Sequence, residues 1–355
     1  MAQDIYRQLQ ERLDLFSMGF PATESGIEIK ILKYLFNEKN AELFLALSHN
    51  LETPEQISER IDQTPDSISE HLEKMAANGL LFRLKKNNIS RYGAIPFVHG
   101  LFEFQVKTLK PDLARMVGEY FEEAFDTAMQ KNADYFLRVV PVNQSVDVTH
   151  NIANYEDAVE ILKTKGSIVV TDCICRKRTD IIDEGCGKTM EACFMFGSMG
   201  QYYLDNDMGR AVSIEEAVTI LKKCRDDGLV TQPATSQNPA GMCNCCGDCC
   251  GVLGAIKKHP APSEIVFSNH LILADSEACT GCGLCLERCQ MDALVLNEGE
   301  LIEVMTKRCI GCGLCVTTCP TEALSLIEKP EAALRVPPET MVDQMMQMAK
   351  NRGIL

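Results

Sequence analysis

No stretch of about 18 uncharged apolar residues occurs in the chain, so the sequence offers no candidate membrane span. The first residues, Met1-Ala2-Gln3-Asp4-Ile5-Tyr6-Arg7, alternate charge and carry no apolar h-region, and the expectation is a cytoplasmic protein that is not secreted. Nucleotide fingerprints are missing too. Neither GxGxxG nor GxxxxGK(S/T) is found, and no nucleophile triad or general base stands out. The 6 histidines are scattered, and His71, His150 and His270 read as packing or surface residues, not ligands. Basic charge is short: 35 Lys and Arg face 50 Asp and Glu, a net charge of −15. That balance disfavours a chain whose main task is to coat nucleic acid or an anionic membrane. Cysteine is absent from residues 1–172.

All 18 cysteines fall between Cys173 and Cys319. In a chain without a secretion signal, such clustering reads as metal or iron–sulfur ligation, not as a disulfide framework. The length of 355 residues implies two or three domains, and 46% apolar with 24% charged residues is enough to bury cores.

The expected class is α+β multidomain. In residues 1–98, apolar spacing predicts helices over Ile27–Phe36 and Leu43–Leu47, broken near Asn37–Asn40. Thr53-Pro54 and Thr64-Pro65 mark two capped helix starts, the second helix running to Ala77 with Gly79 beyond it. Leu80–Leu84 and Ile89–Tyr92, joined by Lys85-Lys86-Asn87-Asn88, read as a hairpin. Two short helices and a hairpin resemble the winged helix-turn-helix of bacterial repressors. Residues 53–76, however, hold six acids and two bases, so the expectation is a fold reused for protein contacts or dimerisation. Only the hairpin, with Arg83, Lys85, Lys86 and Arg91, looks suited to phosphate.

Residues 99–150 read as a helical connector with aromatic core stripes. Residues 151–260 read as a Cys-rich α+β domain, in which Tyr155–Lys163 and Ile214–Lys222 echo one another and each leads into a short apolar strand. A two-cluster ferredoxin domain over 261–330 and an amphipathic C-terminal helix over 331–355 complete the layout. In that tail Met341, Val342, Met345 and Met346 form one face, expected to pack on its own protein, with docking of a partner as the alternative.

The strongest signals are Cys279-x2-Cys282-x2-Cys285-x3-Cys289 and Cys309-x2-Cys312-x2-Cys315-x3-Cys319-Pro320, repeated at an offset of 30 residues. Closely spaced thiolates let a short loop wrap an iron–sulfur cube, and Gly281, Gly283, Gly311 and Gly313 permit the backbone that turns N–H groups toward sulfur. These runs resemble the bacterial-type two-cluster ferredoxin module. The resemblance implies two [4Fe–4S] clusters, one on Cys279, Cys282, Cys285 and Cys319, the other on Cys309, Cys312, Cys315 and Cys289. Gln290 departs from the pattern, standing where the second run has Pro320.

Of the other ten cysteines, Cys224 ends a predicted helix and reads as a buried apolar residue. The remaining nine form two groups along the chain, Cys173, Cys175, Cys186 and Cys193, then Cys243, Cys245, Cys246, Cys249 and Cys250. They are enough for one or two further [4Fe–4S] clusters, and Arg176, Lys177 and Arg178 stand ready to offset thiolate charge. Cys245-Cys246-Gly247 is a weak echo of the Cys-Cys-Gly motif of heterodisulfide reductases.

The expected function is electron transfer, as a subunit or partner of a larger anaerobic oxidoreductase. The ferredoxin segment, with ten acids against four bases over residues 261–330, favours a redox partner with a basic docking surface. A homodimer or a heteromeric complex both suit this reading. Two other classes stay open: a redox-responsive transcription regulator that uses the winged helix on DNA, and an iron–sulfur oxidoreductase with a reactive site at Cys173–Cys250.

Overall fold

Cap residues set the N-terminal helices in the computed structural model, which describes the backbone of residues 4–48, 50–141 and 154–355. Helices Ile27–Leu35 and Glu38–Ala46 part at Asn37, whose Oδ1 accepts from the Asn40 N–H at 2.8 Å. Pro54–Ser58 and Pro65–Ala77 start behind Thr53 and Thr64 with proline in the first turn, where the missing N–H has no intrahelical partner to lose. The hairpin pairs β1 (Phe82–Lys86) with β2 (Ile89–Gly93), and Asn87 and Asn88 both take left-handed φ, as a tight two-residue turn requires. Its basic face differs from the expectation. Arg83 is buried and ion-paired to Glu73 at 2.6 Å and Asp205 at 3.4 Å, so the hairpin docks against the protein and this cation is withdrawn from phosphate.

The connector is helical at Pro111–Tyr120 and Asp126–Phe136, joined by a wider-wound turn at Phe121–Phe125. It is not helical throughout. Leu137, Arg138 and Val140 are extended and make bridges to Ala234, Phe267 and Thr231, because an apolar run beside an open strand edge gains ladder hydrogen bonds there. The expectation for His150 lies outside the described residues.

The central sheet is antiparallel, in the order β5 (Arg210–Val212), β3 (Ile168–Asp172), β4 (Glu191–Phe196), β7 (Gly241–Cys245), β6 (Val230–Pro233). Its strands alternate faces. Ile168, Val170, Phe194, Phe196 and Met242 meet Ile161, Leu162, Ala217 and Leu221 of the two echoing helices, Ala158–Lys163 and Ile214–Asp226. The opposite face turns Cys193, Met195, Cys243 and Cys245 toward the aromatic connector. Register matters here, since β4 and β7 set Cys193 directly across from Cys243.

The C-terminal segment repeats itself in space. β8 (His270–Ala274) pairs with β11 (Leu324–Glu328), and β9 (Leu294–Leu296) with β10 (Ile302–Val304). Left-handed φ recurs at Gly281 and Gly311, Gly283 and Gly313, and Asp292 and Glu322, each pair at equivalent places in the two halves.

The tail helix, Met341–Asn351, packs on Asp126–Phe136 by a face other than the expected one. Gln344 and Met348 are buried while Val342, Met345 and Met346 are exposed. Two carbonyls left over at the end of the Asp126–Phe136 helix, of Tyr135 and Phe136, take the Gln344 amide at 2.8 Å, and this polar match decides the orientation.

Candidate metal centres

Three groups of thiols emerge, and they cut across the chain order. In the C-terminal segment, Cys279, Cys282, Cys285 and Cys319 line one cavity of about 20 Å³. Cys289, Cys309, Cys312 and Cys315 line a second of about 20 Å³. Each four-thiol set therefore takes three residues from one run and one from the other. Backbone N–H groups reach the sulfurs: Ala293 to Cys289 and Ala323 to Cys319, both at 3.2 Å, and Ile302 to Cys279 at 3.4 Å. Such bonds favour the thiolate. Burial works against it, pushing the Cys312 thiol up to about 12 and Cys315 higher still. An apolar pocket holding four thiols and sulfur-directed N–H groups fits an iron–sulfur cube, whose positive core stabilises thiolates that burial alone would protonate.

The nine other thiols divide as six and three, not as the two sequence-local groups expected. Cys173, Cys175, Cys193, Cys243, Cys245 and Cys250 line a single cavity of about 40 Å³ between the sheet and the connector. Strand periodicity explains the selection: Cys243 and Cys245 share one face of β7, Cys193 faces them from β4, and Cys173 lies at the end of β3. Cys250 is the N-cap of helix Gly251–Lys258, and its sulfur accepts from the Leu253 N–H at 3.4 Å. Hydrogen bonds from Cys175 and Cys193 hold Cys173 well below the ordinary thiol value, and bonds from Cys175 and Cys245 do the same for Cys250. Cys175 and Cys193, as donors to Cys173, are pushed up.

Charge compensation is built in. Arg176 is 2% exposed and donates from Nη1 to the Asn244 carbonyl at 3.0 Å, while its Nε and Nη2 find no hydrogen-bond partner among the described residues. Burial opposes its charge, and Cys173, Cys193, Cys245 and Cys246 support it. The other two cations of this run face elsewhere: Lys177 pairs with Asp172 at 3.3 Å, and Arg178 lies over the Phe121 ring at 5.9 Å.

Two residues of this cavity escaped the sequence reading. His99 and Glu103 belong to the connector over 99–150, whose aromatic stripes read as core, yet both line the six-thiol cavity. Glu103 Oε2 accepts from the Gly100 N–H at 2.7 Å, and His99 stacks on Phe136 with ring centroids 4.7 Å apart. Burial raises Glu103 to about 8 and lowers His99 to about 4, so both are largely neutral at pH 7. A polar pair in an aromatic stripe is the only signal that could have marked them.

The third group is Cys186, Cys246 and Cys249, whose sulfurs all lie within 4.8 Å of one another. A hydrogen bond from Cys249 lowers Cys246 to about 6. Cys224 packs with Cys246 and Cys249 in a small apolar cluster, buried as expected, and desolvation raises it to about 12.

Gln290, the departure from the repeat, joins the thiol groups. Its Oε1 accepts from the Gly247 N–H at 2.8 Å, linking the Cys243–Cys250 loop to the residue after Cys289. Arg288 Nη1 adds a bond to the Asp226 carbonyl at 2.7 Å. His71 bonds Asn40 at 2.7 Å and His270 is buried in β8; neither lines a thiol cavity.

No helix among the described residues is long and apolar enough to cross a membrane. Comparison with known proteins finds no curated relative and no solved structure that matches the chain. Residues 272–326 match the family model of the 4Fe-4S dicluster domain, so this segment is of the ferredoxin-like iron–sulfur type and supports an iron–sulfur electron-transfer role.

Proposed function

We propose that this chain is an iron–sulfur electron-transfer protein, acting as a subunit or partner of a larger oxidoreductase. In this reading two [4Fe–4S] clusters sit on the crossed C-terminal sets and a further iron–sulfur centre sits on the six-thiol cavity. The observation that carries it is the grouping of fourteen thiols into three cavities of six, four and four, with backbone N–H groups directed at sulfur in both four-thiol sets. When bound, such clusters take up and pass on single electrons.

The chain's own residues would set the conditions. The connector aromatics Phe121 and Phe125 wall the six-thiol cavity from water, and Arg176 holds a positive charge beside it. The contact between Gly247 and Gln290 fixes the spacing to the second C-terminal set. Among the described cysteines, Cys282 alone is exposed, which brings the first set to the acidic surface where a basic partner would dock. A reductive titration of the anaerobic protein, followed by EPR, tests the proposal. Uptake of three or more electron equivalents per chain is expected; uptake of two or fewer would contradict the third centre.

The placement of Glu103 and His99 in the cavity wall favours one second reading, an oxidoreductase whose reactive site is this cavity. That reading requires the isolated chain to turn over a small substrate with an artificial reductant, and Glu103→Gln to reduce the rate. The regulator reading loses support, since Arg83 is spent on Glu73 and Asp205.

A further inference from the structure

Cys186, Cys246 and Cys249 form a site of a different kind from the three cavities. Their sulfurs lie within 4.8 Å of one another, a closeness met by no other set of three or more His, Cys, Asp or Glu among the described residues. Cys186 and Cys246 stand 3.9 Å apart. Two thiolates bound tetrahedrally to one ion at about 2.3 Å are about 3.8 Å apart. An iron–sulfur cube puts each thiolate on its own iron and so spreads them further. Among the described residues, none of the eight C-terminal thiols enters such a close set.

The loops that carry the three sulfurs are held by contacts of their own residues. Lys188 Nζ meets Asp248 at 3.4 Å, tying the Cys186 loop to the Cys246–Cys249 loop. The Thr189 N–H and hydroxyl both donate to Asp227, at 2.7 and 2.5 Å. Cys246 and Cys249 are buried, and Cys186 is half-buried between exposed Gly185 and Gly187.

We propose that Cys186, Cys246 and Cys249 bind one thiophilic divalent cation, with zinc as the ion to test, and do not bind a further iron–sulfur cluster. Zinc has no redox chemistry, so the site does not carry electrons; because its three cysteines come from two separate loops, an ion there ties those loops together as a clasp. It holds the loop that contains Gly247, and through Gln290 it steadies the junction between the six-thiol cavity and the C-terminal segment. The inference stands apart from the electron-transfer reading, because zinc and iron are counted separately on one sample.

The test is metal analysis and zinc K-edge absorption spectroscopy on the anaerobically purified full chain, wild type beside Cys186→Ser. The wild type is expected to hold about one zinc per chain, with three sulfur neighbours at about 2.3 Å. Cys186→Ser should lose at least five-fold of the zinc at unchanged iron. Wild-type zinc that is substoichiometric, or that has no sulfur neighbour, overturns the site, and this arm needs no variant to fold. Loss of iron from Cys186→Ser with zinc unchanged overturns it as well.

Discussion

Arg176 is the residue whose removal reports most directly on the six-thiol cavity. Its guanidinium is 2% exposed and has no carboxylate partner among the described ion pairs, so thiolates supply its countercharge. Replacing it with glutamine deletes one positive charge beside the cavity thiolates; for a separation taken as about 7 Å and an effective dielectric constant of about 20, such a charge is worth about 2.4 kcal/mol. Adding an electron to a centre there becomes harder by the same amount, so the potential falls by about 100 mV for a one-electron couple. EPR-monitored potentiometry of Arg176→Gln should show this fall in one centre, with the two C-terminal clusters shifted far less. Arg176→Lys should retain most of the wild-type value. A shift below about 20 mV, a rise in potential, or an equal fall in all three centres would refute the electrostatic argument.

Further outcomes follow from individual contacts. Gly311 has φ +66°, and a Cβ there would collide with the His270 carbonyl, so Gly311→Ala should cost about four irons per chain by metal analysis while the set that includes Cys279 keeps its EPR signal. Tyr202 donates its buried hydroxyl to the Ala76 and Leu81 carbonyls, both at 2.8 Å; Tyr202→Phe should lower stability by about 1–3 kcal/mol in denaturant unfolding, with no change in iron content. If acidic residues around Cys282 steer a basic donor, the bimolecular rate of reduction should fall as ionic strength rises in stopped-flow mixing, and a rate that rises would remove the docking model.

Local chemistry was readable in the sequence, and long-range registration was not. Asn37, Thr53, Thr64 and the Asn87-Asn88 turn act within a few residues of themselves, so each boundary followed from the residue type. The C-terminal cysteines are likewise grouped by short loops, and the crossing of Cys289 and Cys319 came from the resemblance to ferredoxin modules. The other nine thiols are sorted by long-range placement, above all by the pairing of β4 with β7, which sets Cys193 across from Cys243, and by the end of β7, which separates Cys245 from Cys246. No local pattern encodes that. His99 and Glu103 were hidden in an aromatic stripe whose periodicity is that of ordinary core. The tail helix was misjudged because its burial is decided by a polar group, Gln344, meeting two carbonyls at the end of another helix, and not by its methionines.

The central claim is that this chain holds more iron than its C-terminal segment can account for. Iron and acid-labile sulfide counted per chain on anaerobically purified protein test it, with Cys245→Ala measured beside the wild type. The account predicts more than about eight irons in the wild type and a fall to about eight in Cys245→Ala, with both C-terminal clusters still visible by EPR. About eight irons in both proteins would contradict it.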